Sequence, residues 1–238
     1  MLANRSIETR RHRRLMFAGE LALDGRLRPI KGAISLARLA EREGVEGLVL
    51  PLENAKEAAA AADEGLAVYP ADSLGSVVGF LNEQHEIEPE PPLEAERLIA
   101  ASQPEVDFAD VRGQEAVKRA LTVAAAGAHN VLMLGPAGTG KTLCARALAG
   151  VLPPLARTEA LEATAIYSAA GLLNHGQPLL THRPFRAPHH TASAPALIGG
   201  GSIPKPGEAS LADHGVLFLD ELPEFSRTVL ETLRQPLE

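Results

Sequence analysis

The chain has no tryptophan, two tyrosines and six phenylalanines in 238 residues. So thin a supply of flat rings leaves little for bases to stack on and argues against a stacking-type single-strand binder. Its one cysteine, Cys144, excludes an internal disulfide and a multi-thiolate metal site, which fits a reducing cytoplasm. Cys144 itself is expected as a small buried hydrophobe. Positive charge is also short: 23 Lys and Arg against 30 Asp and Glu leave a formal charge of −7. A broad basic face for coating nucleic acid is thereby excluded, because phosphate neutralisation needs clustered cations. A narrow basic pore or loop is not. No apolar run approaches the roughly 20 residues that cross a bilayer, so no membrane contact is expected.

What is present, 45% hydrophobic residues over 238, suffices for two ordinary domains, each with its own core. Residues 1–16 read as a frayed basic arm, with Arg10, Arg11, Arg13 and Arg14 ahead of Leu15; Glu20 and Asp24 interrupt the apolar stretch too early for a secretion signal. Residues 17–81 read as a small α/β unit. Glu20 to Leu23, Asp24-Gly25 and Arg26 to Ile30 suggest a hairpin on a tight Asp-Gly turn. Ser35 to Arg42 has helical spacing, Gly47 to Leu50 is a buried-strand pattern, and Asn54 is placed to cap a helix over Ala55 to Ala62. Residues 82–104 are rich in glutamate and proline and read as a solvated linker. From 105 a second domain begins, with a helix over Gln114 to Ala125 and an apolar strand over Asn130 to Leu134.

The chemistry sits directly after that strand. Gly135-Pro136-Ala137-Gly138-Thr139-Gly140-Lys141-Thr142 opens a helix over Leu143 to Ala149. The glycines let backbone N–H groups and the helix N-terminus face an anion. Lys141 supplies a point charge for the β and γ phosphates, and the Thr142 hydroxyl is a ligand for Mg²⁺. Such a pattern arises by chance in roughly one chain of this length in a hundred at average glycine usage, before strand and helix flanks are required. ATP or GTP binding follows.

A second constellation supports the first. Val216 to Leu219 is an apolar strand ending in Asp220 and Glu221. In a parallel sheet that end emerges on the same edge as the phosphate loop. Asp220 is then placed to hold Mg²⁺, and Glu221 to orient and polarise the attacking water. Glu221 and Lys141 are the expected catalytic residues.

Several segments carry a family resemblance: Asp107 to Glu115, the phosphate loop, Arg183-Pro184-Phe185-Arg186-Ala187-Pro188-His189-His190-Thr191, Ile198 to Gly201, Pro206 to Glu208, and Gly215 to Phe225. From about Phe17 to Glu238 the chain resembles the magnesium-chelatase-like AAA+ ATPases of the YifB/ComM family. The resemblance implies a P-loop NTPase core of three αβα layers and a hexameric ring motor. It places Gly113 and Gln114 near the adenine, favouring ATP over GTP. As substrate it implies DNA, remodelled by branch migration in transformation or recombination; a metal-chelatase ATPase subunit and a nucleotide-binding interaction module without turnover are the alternatives. Residues 17–81 resemble part of a Lon-protease-like (ribosomal S5 domain 2-like) domain. The lysine of the Lon catalytic dyad aligns with Ile34, Lys31 is out of register, and no peptidase activity is expected.

Within residues 181–209 the resemblance implies a pore-facing insertion, where Arg183, Arg186 and Lys205 would grip a backbone phosphate; a rigid packed loop is the other reading. His189 and His190, with His182 and His175, invite a zinc reading, but adjacent histidines are expected to point apart and no cysteine is near. The chain ends eighteen residues after Asp220, before the sensor, arginine finger and helical lid that the resemblance implies. It therefore reads as truncated at both ends, with an incomplete AAA+ core that turns ATP over negligibly by itself.

Overall fold

The computed structural model describes residues 11–63, 65–136, 138–174, 176–202 and 204–234. Its contacts divide into two compact units, residues 1–95 with 164–179, and residues 96–163 with 180–238. No single cut along the sequence reproduces that division.

The first unit is built on a parallel sheet of β1 (Leu15–Phe17), β4 (Gly47–Pro51) and β5 (Ala67–Ala71), in the order β1-β4-β5. Every residue of β4 is buried, as a central parallel strand covered on both faces requires. Between β1 and β4 run the hairpin β2 (Glu20–Leu21) and β3 (Leu27–Arg28) and the helix α1 (Ala33–Arg42). Helices α2 (Leu52–Ala61) and α3 (Leu74–Leu81) follow β4 and β5. Phe80, Val49, Ala71, Val77 and Leu81 form a core against which Leu15, Leu27 and Tyr69 pack.

Three local expectations change here. The hairpin turn is a three-residue loop: Gly25 N–H donates to Ala22 O at 3.0 Å, and only Gly25, at φ 85°, takes the left-handed position. Asn54 does not cap a helix. It lies inside α2, buried, and its amide brackets Ile30, accepting from Ile30 N–H and donating to Ile30 O, both at 2.9 Å. Pro51 takes the cap position, where a missing N–H costs nothing. The first ten residues of the basic arm lie outside the described set, and the frayed segment expected to continue from Arg11 is structured. Arg11 to Arg14 form a 3-10 turn, and the Arg11 guanidinium stacks 4.0 Å over Phe80.

A buried carboxylate completes the first unit. Glu57 accepts from Ile34 N–H at 3.1 Å and from the Ser168 hydroxyl, which itself accepts from Gly32 N–H at 2.7 Å. Ser168 belongs to the later part of the helix Arg157–Ala170, which is why residues 164–179 group with this unit. Ile34, the position aligned with the Lon lysine, is fully buried.

The expected linker is partly helical: α4 (Ala95–Ala101) lies within it, with Ala95 and Ile99 buried. Apolar Ala95, Leu98 and Ile99 at helical spacing, with charged Glu96 and Arg97 between them, provide an amphipathic turn that the Pro-rich stretch before it lacks.

The second unit carries α5 (Glu115–Ala126), α6 (Lys141–Val151), the first half of α7 (Arg157–Ala170), β6 (Phe185–Arg186), α8 (Ala194–Ile198), β7 (Gly199–Gly200), β8 (Lys205–Pro206), α9 (Glu208–Leu211), β9 (Val216–Leu217) and α10 (Arg227–Thr232). Strands β6 and β9 pair in parallel and β7 and β8 antiparallel. Two clusters hold it. Val111, Leu121, Cys144 and Ala147 pack with Phe108 and Met133, while Leu197, Phe225, Val229 and Leu233 pack with Leu217 and Leu219. Cys144 is the small buried hydrophobe its context suggested.

Candidate functional site

The strand expected over Asn130 to Leu134 does not form as one, because a strand exists through its ladder partners and residues 129–136 carry no regular secondary structure. Met133 packs inward on the Leu121 and Cys144 cluster. Leu132 and Leu134 are 70% and 88% exposed. The phosphate loop is nevertheless built. Gly138 and Gly140 sit at φ 80° and 83°, a conformation that penalises any side chain, and Gly140 caps α6 so that Lys141 and Thr142 are its first residues. Lys141 Nζ donates to Gly135 O at 3.0 Å and to Pro136 O at 2.9 Å, spanning the loop. Thr139 Oγ1 donates to Pro136 O at 3.0 Å. Ala137 lies outside the described residues.

Gln114 reaches the same loop. Asp107 and Asp110 form a reciprocal capping box around the 3-10 turn Phe108–Asp110. The chain then passes through two consecutive left-handed residues, Gly113 at φ 64° and Gln114 at φ 59°. That kink lets α5 start at Glu115 and brings Gln114 Nε2 to 3.5 Å from Thr139 O.

On the other side of the site, Leu217 and Leu219 anchor the end of β9 in the second cluster, and the next two residues turn out to solvent. Thr142 Oγ1 donates to Asp220 Oδ2 at 3.3 Å. The other Asp220 oxygen accepts from Glu221 N–H at 3.0 Å, so the carboxylate is fixed at both ends. Glu221 is left-handed, φ 54°, and starts the 3-10 turn Leu222–Glu224; its side chain is 66% exposed. Thr142 and Asp220, each expected beside the metal, are thus brought together. A hydroxyl and a carboxylate oxygen 3.3 Å apart are hard donors near the roughly 3 Å separation of adjacent ligands around octahedral Mg²⁺. The donor set fits that ion.

Once these residues are together, comparison with known proteins becomes informative. A family model described as "Magnesium chelatase, subunit ChlI" matches residues 107–238, and a second, "Subunit ChlI of Mg-chelatase", matches residues 1–54. The chain belongs to the magnesium-chelatase family. Within it the chain is YifB/ComM-like. It is 49% identical over 224 residues to "Competence protein ComM" of Haemophilus influenzae, covering 93% of this chain and 43% of that protein. It is also 49% identical over 220 residues to YifB of Salmonella typhimurium, covering 92% of this chain and 42% of that protein. The chain thus spans under half the length of these curated relatives. A shorter match, 46% identical over 68 residues, links 23% of this chain to 10% of "ATP-dependent zinc metalloprotease FtsH" of Chloroflexus aggregans. The family and these relatives support an AAA+-type protein, and the family in general uses nucleotide and Mg²⁺.

Three expectations for residues 181–209 of this family member change. Arg183 is enclosed: it donates to Glu159 Oε2 at 2.9 Å, to Pro153 O at 2.6 Å and to His214 O at 2.7 Å. Arg186 makes a two-pronged contact with Glu208, at 2.6 and 2.8 Å. Arg183 fastens the insertion to its own unit and Arg186 braces it from within, and of the three basic residues only Lys205 is exposed. His189 and His190 do not diverge, since their ring centroids lie 4.1 Å apart; His175 lies outside the described residues.

Two features had no sequence signal. Glu159 sits beneath Arg183 with its carboxyl held below the ordinary value of 4.5, chiefly by the hydrogen bond from Ala156 N–H, with Arg183 and His214 adding to it against partial burial. And His190 Nδ1 lies 3.4 Å from Glu221 Oε2, across thirty-one positions of chain. A doublet of histidines gives no hint of which partner it meets.

Proposed function

We propose that this chain binds Mg²⁺·ATP through Gly135 to Thr142 and cleaves it as part of a cytoplasmic AAA+ ring motor. One observation carries the reading: the 3.3 Å contact between Thr142 Oγ1 and Asp220 Oδ2, which joins the phosphate loop to the acidic strand end. Backbone N–H groups at the start of α6 receive the phosphates, and Lys141 transfers its charge from the loop carbonyls to them. Thr142 and Asp220 hold the metal, and Gly113 and Gln114 lie on the base side. Bound Mg²⁺ would offset charge on the β and γ phosphates. Glu221, next along the chain from Asp220, orients a water and accepts its proton.

The remodelled substrate in this proposal is DNA, supported by the resemblance and by the 49% identity to a competence protein. Since Arg183 and Arg186 are engaged, the DNA contact falls to Lys205 and the backbone of the Gly-rich hairpin β7-β8. Assembly is a closed ring of identical subunits, hexameric by the same resemblance.

The test of binding is the affinity for a fluorescent ATP analogue with and without Mg²⁺. Lys141→Ala should weaken it at least about tenfold, the loss of roughly 1.4 kcal/mol; equal affinity of variant and parent would remove the phosphate loop from the function. For DNA, the measurement is ATP-dependent branch migration of a four-way junction. A Lys205→Glu variant that migrates junctions as fast as the parent would displace the hairpin from the DNA path.

A further inference from the structure

The placement of His190 has a consequence for Glu221. A glutamate that must hold an attacking water needs its carboxylate restrained, because three freely rotating side-chain bonds spread it over many positions. Glu221 is 66% exposed, and nothing from its own strand holds its carboxylate: the hydrogen bonds at this strand end run through Asp220 and the Glu221 N–H. Its side-chain contact is with His190, whose Nδ1 lies 3.4 Å from Oε2.

His190 is well supported for such a task. Its ring meets the Phe225 ring edge-on, with centroids 6.4 Å apart, and Phe225 belongs to the buried cluster with Leu197, Val229 and Leu233. On its other side the His189 ring packs at 4.1 Å, and His189 is fixed in turn by Thr191, with Nδ1 2.9 Å from Thr191 Oγ1. The base is thus backed by an imidazole, and the imidazole by the core. Engaging one carboxylate oxygen leaves the other to accept a proton from water, the arrangement in which a base is oriented by a third group.

We infer that His190 is a positioning residue for Glu221, holding its carboxylate through Nδ1 so that the second oxygen addresses the water that attacks ATP. This rests on the ATPase reading above. His190 touches neither nucleotide nor metal in this scheme, so its removal lowers the hydrolysis step and spares binding. It also lies on the segment from β6 to the hairpin β7-β8, so this restraint on the base originates in the insertion rather than in the phosphate loop.

The experiment compares His190→Phe, which keeps the ring packing but has no nitrogen, with His190→Asn, whose amide nitrogen falls near the position of Nδ1. Single-turnover hydrolysis is followed with protein in excess, and analogue affinity is measured separately. His190→Phe should slow hydrolysis about tenfold, a fraction of what a general base contributes, with affinity unchanged within about twofold. His190→Asn should recover most of the rate. A Phe variant at the parent rate, an Asn variant as slow as Phe, or a parallel loss of affinity overturns the assignment. Failure of the ATPase reading has a different signature, an analogue affinity that Lys141→Ala leaves unchanged. The ¹⁵N spectrum of the histidine rings then decides: the His190 Nδ1 signal must shift on Glu221→Gln and stay in place on Glu224→Gln, and an unmoved signal overturns the contact.

Discussion

Asp220 shows how much a single carboxylate can organise. One oxygen takes the Thr142 hydroxyl and the other the Glu221 N–H, so one side chain sets the proposed metal ligand Thr142 and the backbone of Glu221, the proposed base. Asp220→Asn keeps the shape but loses a charge. We expect the Mg²⁺-dependent gain in ATP-analogue affinity to fall at least about tenfold, the lower end of what loss of even an outer-shell partner costs, with metal-free affinity little changed. An unaltered Mg²⁺ dependence in the titration would exclude Asp220 as a ligand. Asn54 is the counterpart in the first unit. Both of its hydrogen bonds go to Ile30, and Asn54→Leu would strand a peptide N–H and C=O with little water to replace them. The expected cost is about 2 kcal/mol or more, read as a lower urea midpoint at unchanged slope.

Among the elements, β4 and α2 were legible because their periods are unambiguous: a short all-apolar strand, then an alanine-rich helix. The Asp24-Gly25 hairpin was legible in place but not in turn type, which depends on which residue adopts positive φ. Residues 130–134 misled, since an apolar run states a wish for burial without naming a partner strand. The link between Glu159, Arg183 and His214 was illegible, as it joins an early helix to a later loop by charge alone. It carries a pH prediction. The Glu159 carboxyl is depressed in the folded chain from 4.5. Its stabilisation is therefore present above about pH 4.5 and is lost as pH falls through the lower folded value. Urea midpoints of the parent and Glu159→Gln should differ at pH 7 and converge toward pH 3; a gap that is constant with pH would show that the charge of Glu159 does not matter.

For the whole molecule, the decisive feature is the edge beside the phosphate loop. Val131, Leu132 and Leu134 are exposed along backbone whose N–H and C=O groups from 130 to 134 join no sheet, and Leu143 is exposed in the first turn of α6. Apolar side chains on an unpaired edge are a template for association. The 238-residue chain should self-associate with rising concentration in sedimentation velocity, independently of nucleotide, and Leu132→Glu with Leu134→Lys should shift it toward monomer. A monomer at every concentration would mean the edge is covered in solution. No helix among the described residues is long and apolar enough to cross a membrane.

The sequence by itself determined where the phosphate loop lies, because such a loop is a local object: glycines, a lysine and a threonine at fixed spacing turn the backbone within eight residues, and the apolar run ending in Asp-Glu marks the residues that meet it. It also determined the family, through motifs spread over most of the chain. Tertiary structure alone decided which long-range polar partners were chosen. It gave Asn54 to Ile30 rather than to a helix end, Arg183 and Arg186 to Glu159 and Glu208 rather than to solvent, and His190 to Glu221. These pairings depend on distances between residues far apart in the chain: His190 reaches Glu221 with β6 packed beside β9 and Phe225 buried behind its ring, while Asn54 meets Ile30 inside the first unit.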